Sequence, residues 1–100
     1  MLASQESNDI RKIINLFEKK IDEMHLGFSE YYKGMEQKIP DLEKLERDLI
    51  TFSRYPINEL ILSKNLERIL YKFQNRKKIW LSWVKEVHEM TEDEEDAEDQ

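Results

Sequence analysis

One stripe of apolar residues constrains this chain more than any other feature of its sequence. It starts at Ile10 and continues through Ile14, Phe17, Ile21, Met24, Phe28, Tyr31 and Met35. The steps alternate between four and three residues, and this seven-residue repeat places all members along one side of an α helix. We therefore predict a first helix over roughly residues 8–38, about 45 Å long, with Ser7 or Asn8 at its N-cap. A helix of this length either spans a whole bundle or pairs with a second long helix.

Two glycines leave the shape of this first helix open. Gly27 and Gly34 are seven residues apart and share one side of the helix, where a neighbouring helix could approach closely. The alternative is a bend at Gly27 or a break near Gly34. His25 and His88 have no metal-binding partners at helical spacing, so we interpret both as ordinary surface histidines.

Two prolines divide the following residues into further helices. Pro40 ends the first helix and is well placed in the first turn of a second, which the leucine spacing continues to about residue 53. Pro56 then opens a short third helix over residues 57–62. We expect this helix to be deeply buried, because it ends in three consecutive apolar residues.

The last helical stretch, residues 64–90, contains no helix breaker. It forms either one long helix or two helices separated by a polar hinge at residues 75–78, and we favour the split. Trp80 and Trp83 share one helix side and are expected in the core, with a partner-binding role for whichever is exposed. Together these elements predict an all-α, compact bundle of four to five helices over residues 8–90, with a long first helix.

Composition supports this fold class. The 100 residues include two glycines and two prolines, too few for a β-sandwich, and no cysteine, which excludes disulfides and thiolate metal sites. Residues 91–100 carry seven acids and no base, so the net charge of −6 belongs to this segment, and the rest of the chain is near +1. We predict a disordered acidic tail there and a flexible N-terminus over residues 1–7. The tail is either a solubilising terminus or a segment that screens a basic face or contacts a basic protein.

Catalysis is not expected from this sequence. It contains no glycine-rich phosphate loop and no recognisable nucleophile motif, and its acids alternate with lysine and arginine as on solvated helix faces. Without a Glu-x-x-His motif a di-iron bundle is also excluded. We predict no enzyme, no cofactor and no metal site. No stretch approaches the roughly 18 uncharged apolar residues of a membrane span.

Basic residues cluster in the last helical stretch. Between residues 64 and 88 two acids stand against seven bases, namely Lys64, Arg68, Lys72, Arg76, Lys77, Lys78 and Lys85. Arg68, Lys72 and Arg76 step by four, which predicts one basic ridge opposite the buried face. Three interpretations remain: a solvated face, a docking surface for an acidic peptide or the chain's own tail, and a nucleic-acid surface. The near-neutral body argues against nucleic acid.

Residues 42–87 resemble the helical domain at the N-terminus of the transcription elongation factor TFIIS. Related domains include the integrase-binding domain of lens-epithelium-derived growth factor. The likeness is carried by Leu42, Leu45, Leu49, Pro56-Ile57, Ile61-Leu62, Leu66, Ile69, Leu70, Phe73 and Trp83. The resemblance implies a right-handed bundle that binds short disordered motifs through interhelical loops, here residues 53–56 and 75–79. It implies partner-binding roles for Arg54, Tyr55, Phe73, Arg76 and Ile79.

The first functional hypothesis is therefore a non-enzymatic protein-interaction module of nuclear transcription or chromatin machinery. It would dock a short motif or helix of a partner protein, with the basic ridge attracting flanking acids. The rival hypothesis is a structural assembly subunit that uses the heptad helix, residues 10–35, as a coiled-coil or bundle seam with another chain. The oligomeric state stays open between them.

Overall fold

The computed structural model describes the backbone of residues 2–99 and the side chains of residues 7–90. This part of the chain forms three α helices and no strand. The helices are α1, Leu2–Tyr32, α2, Leu42–Ser53, and α3, Leu60–Asp99. The all-α prediction is confirmed, and the prediction of four to five helices is wrong.

Two predictions concern residues outside the described side chains. The flexible N-terminus covers residues 1–7, of which Ser7 alone has a described side chain, and the acidic tail covers residues 91–100. Both stay predictions.

α1 carries the predicted apolar stripe, although it begins earlier than expected. The chain is already helical at Ser7 and Asn8, so neither residue is an N-cap. The stripe supplies four buried core residues, Ile14, Phe17, Ile21 and Phe28. The seven-residue periodicity therefore predicted the buried side of α1 correctly as far as Phe28. Met35, the last member of the predicted stripe, lies beyond the end of α1 and is 73% exposed.

The end of α1 is determined by Gly34, which adopts a left-handed φ of +79°. The backbone N–H of Met35 donates to the carbonyl of Glu30 at 2.9 Å, and that of Gly34 donates to the carbonyl of Tyr31 at 3.1 Å. These two bonds form a Schellman C-cap, which ends the helix before the predicted residue 38. Of the alternatives for the glycines, the break near Gly34 is the one observed.

Gly27 lies inside α1 and allows the loop before α2 to approach. A Cβ atom at Gly27 would stand 3.0 Å from Cγ of Pro40. The close approach is therefore made by a loop proline and not by a helix. Asp41 follows as the N-cap of α2 and accepts a hydrogen bond from the backbone N–H of Lys44 at 3.2 Å. α2 ends at Ser53 as the leucine spacing predicts, but it begins at Leu42, so Pro40 precedes the helix and is not in its first turn.

The long helix α3 contradicts two predictions, the short third helix over residues 57–62 and the hinge at residues 75–78. No separate helix covers residues 57–62, because α3 begins only at Leu60. No hinge occurs at residues 75–78, which are helical throughout. This polar run contains neither glycine nor proline. Two of its side chains have partners on other helices, since Lys77 pairs with Glu46 of α2 and Arg76 faces α1.

The start of α3 is less buried than expected. Leu62 lies in the core, whereas Leu60 and Ile61 are 68% and 69% exposed. An α helix cannot turn three consecutive side chains to the same side, so a helix at the edge of the bundle buries only one of them.

The three helices run up, down and up. α1 and α3 are parallel, because Glu18 of α1 meets Arg68 and Tyr32 further along α1 meets Glu86. α2 runs antiparallel to both. The core between them is formed by Ile14, Phe17, Ile21, Phe28, Leu45, Leu49, Leu62, Leu66, Ile69, Phe73 and Trp80. The lower end of the bundle is hereafter the end at which α2 stops and α3 starts.

The left-handed cap generates a stability prediction. Gly34→Ala should lower the free energy of unfolding by about 1 kcal/mol, because a Cβ atom disfavours positive φ. Gly34→Asn should recover part of this loss, since asparagine tolerates the left-handed region. Urea denaturation measures both, with an unchanged slope. Equal midpoints for glycine and alanine would contradict the described cap.

Candidate functional site

The basic ridge of α3 faces α1, contrary to the prediction that it lies opposite the buried face. Nη1 of Arg68 lies 2.8 Å from Oε2 of Glu18, and Nη2 lies 3.2 Å from Oε1. Nζ of Lys72 lies 2.8 Å from Oδ1 of Asp22 and 3.4 Å from Oε2 of Glu18. Arg68 and Lys72 of the ridge are therefore paired with α1 at the edge of the α1–α3 interface, where the Arg68 side chain is still 55% exposed.

Glu18 is the centre of this ionic network. The hydrogen bond from Arg68 and the charges of Arg68 and Lys72 lower the pKa of Glu18 to about 2, although partial burial acts in the opposite direction. Glu18 is therefore ionised throughout the neutral and mildly acidic range.

His25 lies at the same interface and is not the surface histidine that the sequence predicts. The indole Nε1–H of Trp80 donates to Nδ1 of His25 at 3.0 Å. On the other side of the ring, Nη1 of Arg76 lies 3.3 Å from Nε2. Indole and guanidinium groups are donors only, so Nδ1 must be unprotonated to accept the bond from Trp80. The contact requires a neutral His25.

The electrostatic surroundings of His25 favour the same neutral form. Burial lowers the pKa of His25, and the positive charges of Arg76 and Lys72 lower it further, while Asp22 opposes them. The neutral ring carries its one hydrogen on Nε2, so protonation of His25 would add an N–H group at Nδ1, against the indole N–H of Trp80. The interface is therefore sensitive to acid at this one residue.

Aromatic rings close the α1–α3 interface above His25. Trp80 is buried and stacks on Phe28, with ring centroids 5.0 Å apart. Trp83 stacks on Tyr32 at 5.2 Å, and the hydroxyl of Tyr32 donates to Glu86 at 2.6 Å. The expected core role is confirmed for Trp80, and Trp83 packs against the core as a partly buried residue.

Three of the five predicted partner-binding residues lie on α3, and none of these three is in a loop. Phe73 is buried in the core. Arg76 faces His25, and Ile79 is partly exposed on the same helix. The loop expected over residues 75–79 does not exist, because this range is part of α3.

The other two predicted residues, Arg54 and Tyr55, follow α2 at the lower end of the bundle. Both are exposed, and Tyr55 lies beside Ile13 of α1. Arg76 contacts α1 at His25, which follows Ile13 by twelve residues. This separation corresponds to about 18 Å along the helix axis. The five residues therefore do not form one site.

Tyr55 instead borders an open concavity between α1 and α2. This concavity has a volume of about 300 Å³ and is lined by Asp9, Ile10, Ile13, Phe52 and Tyr55. The ring of Phe52 forms one wall of this concavity. Its centroid lies 5.5 Å from the ring centroid of Phe17 and 6.5 Å from that of Tyr55. Four of its five lining residues have apolar or aromatic side chains.

A second concavity continues along the same two helices towards the upper end. It has a volume of about 350 Å³ and is lined by Lys20, Glu23, Met24, Asp41, Lys44, Leu45 and Asp48. Leu16 lines neither concavity, but helical spacing places it on the same side of α1, three residues after Ile13 and four before Lys20. We call the whole surface, formed by these lining residues and Leu16, the α1–α2 groove.

The lower part of the α1–α2 groove exposes large apolar surface. Leu16 is 51% and Tyr55 is 54% exposed, and Ile13 is also exposed. Sequence reasoning missed this surface except for Tyr55. The sequence signal for this surface is a second row of residues along α1, each one position before a member of the core stripe. Only Ile13 and Leu16 in this row have large apolar side chains, so the row has no clear apolar pattern.

Other chemistry is limited over the described part of the chain. No group of three or more histidine, aspartate or glutamate side chains in that part is arranged to hold a metal ion. None of its helices is both long and apolar enough to cross a membrane. Every buried side-chain nitrogen or oxygen among the same residues has a hydrogen-bond partner.

Fold and groove together define a three-helix bundle with one partly apolar groove open to a partner. Comparison with protein-family models, with curated proteins and with solved structures finds no match to this chain.

The position of His25 generates a pH prediction. The unfolded chain binds a proton at His25 near the usual pKa of 6.5, whereas the folded protein binds it only at lower pH. The free energy of unfolding should therefore fall as the pH drops through 6.5 and stay constant above it. Urea denaturation between about pH 5.5 and pH 7.5 measures this slope.

Two variants test the assignment of the slope. His25→Gln should remove it, because the titrating group is gone, and His88→Gln should retain it, since His88 is exposed outside the interface. Glu18 stays ionised across this range because its pKa is about 2. An unchanged slope in His25→Gln would contradict the role of His25.

Proposed function

We propose that this chain is a non-enzymatic protein-interaction module that docks a short helical motif of a partner protein in the α1–α2 groove. The observation that carries the proposal is the exposure of Ile13, Leu16 and Tyr55 beside a ready-formed concavity. Apolar side chains of this kind, held by a rigid helix pair, are typical anchor points for a partner helix.

The dimensions of the groove favour a helix as the docked element. Its line on α1 runs from Asp9 to Glu23, about 21 Å along the helix axis. A partner helix of four turns would cover this length and complete a four-helix arrangement with the same packing rules as the core. Burial of two or three anchor residues corresponds to micromolar affinity once the costs of association are included.

The nuclear part of the proposal comes from the sequence resemblance. The likeness of residues 42–87 to the TFIIS N-terminal domain and the acidic segment 91–100 support a partner in transcription or chromatin machinery. Because residues 75–79 are helical, we move the proposed binding surface away from Arg76 and Ile79. Tyr55 stays within it.

The rival hypothesis, assembly through the heptad stripe, has less support. The stripe residues Ile14, Phe17, Ile21 and Phe28 are buried within one chain. A second chain could reach them only if the bundle opened. A nucleic-acid surface on the basic ridge is disfavoured for a similar reason, since Arg68 and Lys72 already pair with carboxylates of α1.

Matched substitutions on opposite faces test the proposal. Leu16→Asp should reduce capture of the partner at least tenfold, from an extract of the cells in which the protein naturally occurs. The reason is that burial of a leucine at the interface contributes about 1.5–3 kcal/mol to the binding free energy. Leu26→Asp is the control, since Leu26 is 60% exposed on α1 outside the groove. Tyr55→Ala has a matched control in Tyr71→Ala, because Tyr71 is 72% exposed on α3.

Quantitative mass spectrometry of the captured proteins is the readout, with circular dichroism to show that each variant folds. The expected result is a nuclear transcription or chromatin protein that is lost with both groove variants and retained with both controls. Equal capture by Leu16→Asp and Leu26→Asp would contradict docking in the groove. A groove-dependent partner from another compartment would contradict only the nuclear assignment.

A further inference from the structure

The charges around the α1–α2 groove determine which kind of helix it accepts. The residues that line its two concavities include four acids and two bases, Asp9, Glu23, Asp41, Asp48, Lys20 and Lys44. None of these six is in an ion pair among the described side chains. With four acids and two bases, the lining of the groove has a formal net charge of −2, and its carboxylates have no ion-pair partner among the described side chains.

The bases do not neutralise this surface locally. Nζ of Lys20 lies 5.9 Å from the ring centroid of Phe17, directly over the ring, and not within ion-pair distance of an acid. Asp41 uses one oxygen to cap α2 through the backbone N–H of Lys44. Glu23 and Asp48, on opposite sides of the groove, have no such role.

Most of the acidic side chains lie at a different level of the groove from the apolar ones. The exposed apolar residues Ile13 and Leu16 lie at the lower end, and Glu23 follows Ile13 by ten residues on the same helix. This offset corresponds to about 15 Å, or almost three helical turns. Asp9 lies at the lower end beside Ile13, so a helix that follows the groove meets one carboxylate among the apolar side chains. The other three, Glu23, Asp41 and Asp48, come at the upper end.

We propose that the occupant of the α1–α2 groove is a basic amphipathic helix of a different protein. Its apolar anchors contact Ile13, Leu16 and Tyr55, and its lysine or arginine residues, about ten positions away, pair with Glu23 and Asp48. This inference rests on the proposed function and adds the chemistry of the partner. It reverses the expectation of an acidic motif, which depended on a basic ridge that is paired with α1.

Charge also excludes two occupants from within the protein. Residues 91–100 carry seven acids and no base, so this segment would be repelled by the groove. Two copies packed groove to groove in parallel would bring Glu23 and Asp48 close to the same residues of the second copy. Both arrangements place like charges together, which costs binding energy.

A peptide library with no charge bias tests the inference. The library consists of 18-residue peptides that contain alanine, leucine, lysine and glutamate with equal frequency, displayed and selected on the full chain. The measured quantity is the ratio of lysine to glutamate in the selected peptides. We expect lysine to exceed glutamate, with leucines at helical spacing about ten positions from the lysines.

Charge reversal of the groove provides the decisive comparison. The variant Glu23→Lys/Asp48→Lys should weaken binding of the selected lysine-rich peptides about tenfold or more and should select glutamate-rich peptides instead. The control Glu43→Lys/Glu67→Lys changes the net charge equally at exposed positions outside the groove and should leave the selection unchanged. Fluorescence anisotropy at low and high salt measures the affinities, and circular dichroism shows that both variants fold.

The outcomes separate this inference from the proposed function. Selected peptides that lose binding with Leu16→Asp but contain as much glutamate as lysine would overturn the basic partner and leave the docking groove intact. Selected peptides that bind Leu16→Asp and wild type equally would overturn both. A selection that enriches no peptide also counts against both.

Discussion

The packing of Trp80 against α1 is the interaction on which the bundle depends. Its ring is buried, stacks on Phe28 at 5.0 Å and donates its indole N–H to His25. These contacts set the parallel register of α1 and α3, because they join residues more than 50 positions apart at one level. In that register Arg68 stands beside Glu18. The position of the basic ridge is thus a consequence of how the core packs, and its ion pairs join α1 and α3 at the solvent-exposed edge of their interface.

The same register explains why the open surface lies elsewhere. α1 has 31 residues and α2 has 12, so α2 covers only part of the length that α1 offers. α3 covers one side of α1 almost completely, and the side beyond α2 keeps Ile13 and Leu16 exposed. A bundle built from two long helices and one short helix leaves room for a fourth. The α1–α2 groove lies on one open side of this bundle, with exposed apolar residues and Asp9 at its lower end and Glu23, Asp41 and Asp48 at its upper end.

Sequence periodicity predicted the features that depend on neighbouring residues, such as which side of a helix is buried. It failed for features that depend on contacts between residues far apart in the sequence. The core stripe of α1 and the end of α2 follow from apolar spacing and proline, and both are found. The sequence predicts a hinge at the polar residues 75–78, because the partners of Arg76 and Lys77 in this run are remote in sequence. These partners are His25 and Glu46. His25 reads as a surface residue for the same reason. In the candidate site, only Tyr55 was predicted, because the line of groove residues on α1 is mostly polar.

The central claim is that one chain buries its own heptad stripe and leaves the α1–α2 groove open. Light scattering of the purified chain at several concentrations tests this claim most directly. The account predicts a mass near 12.2 kDa at every concentration, since the stripe is already covered by α2 and α3. A dimer or tetramer that dissociates only when the chain unfolds would contradict it, because the stripe would then be a seam between chains.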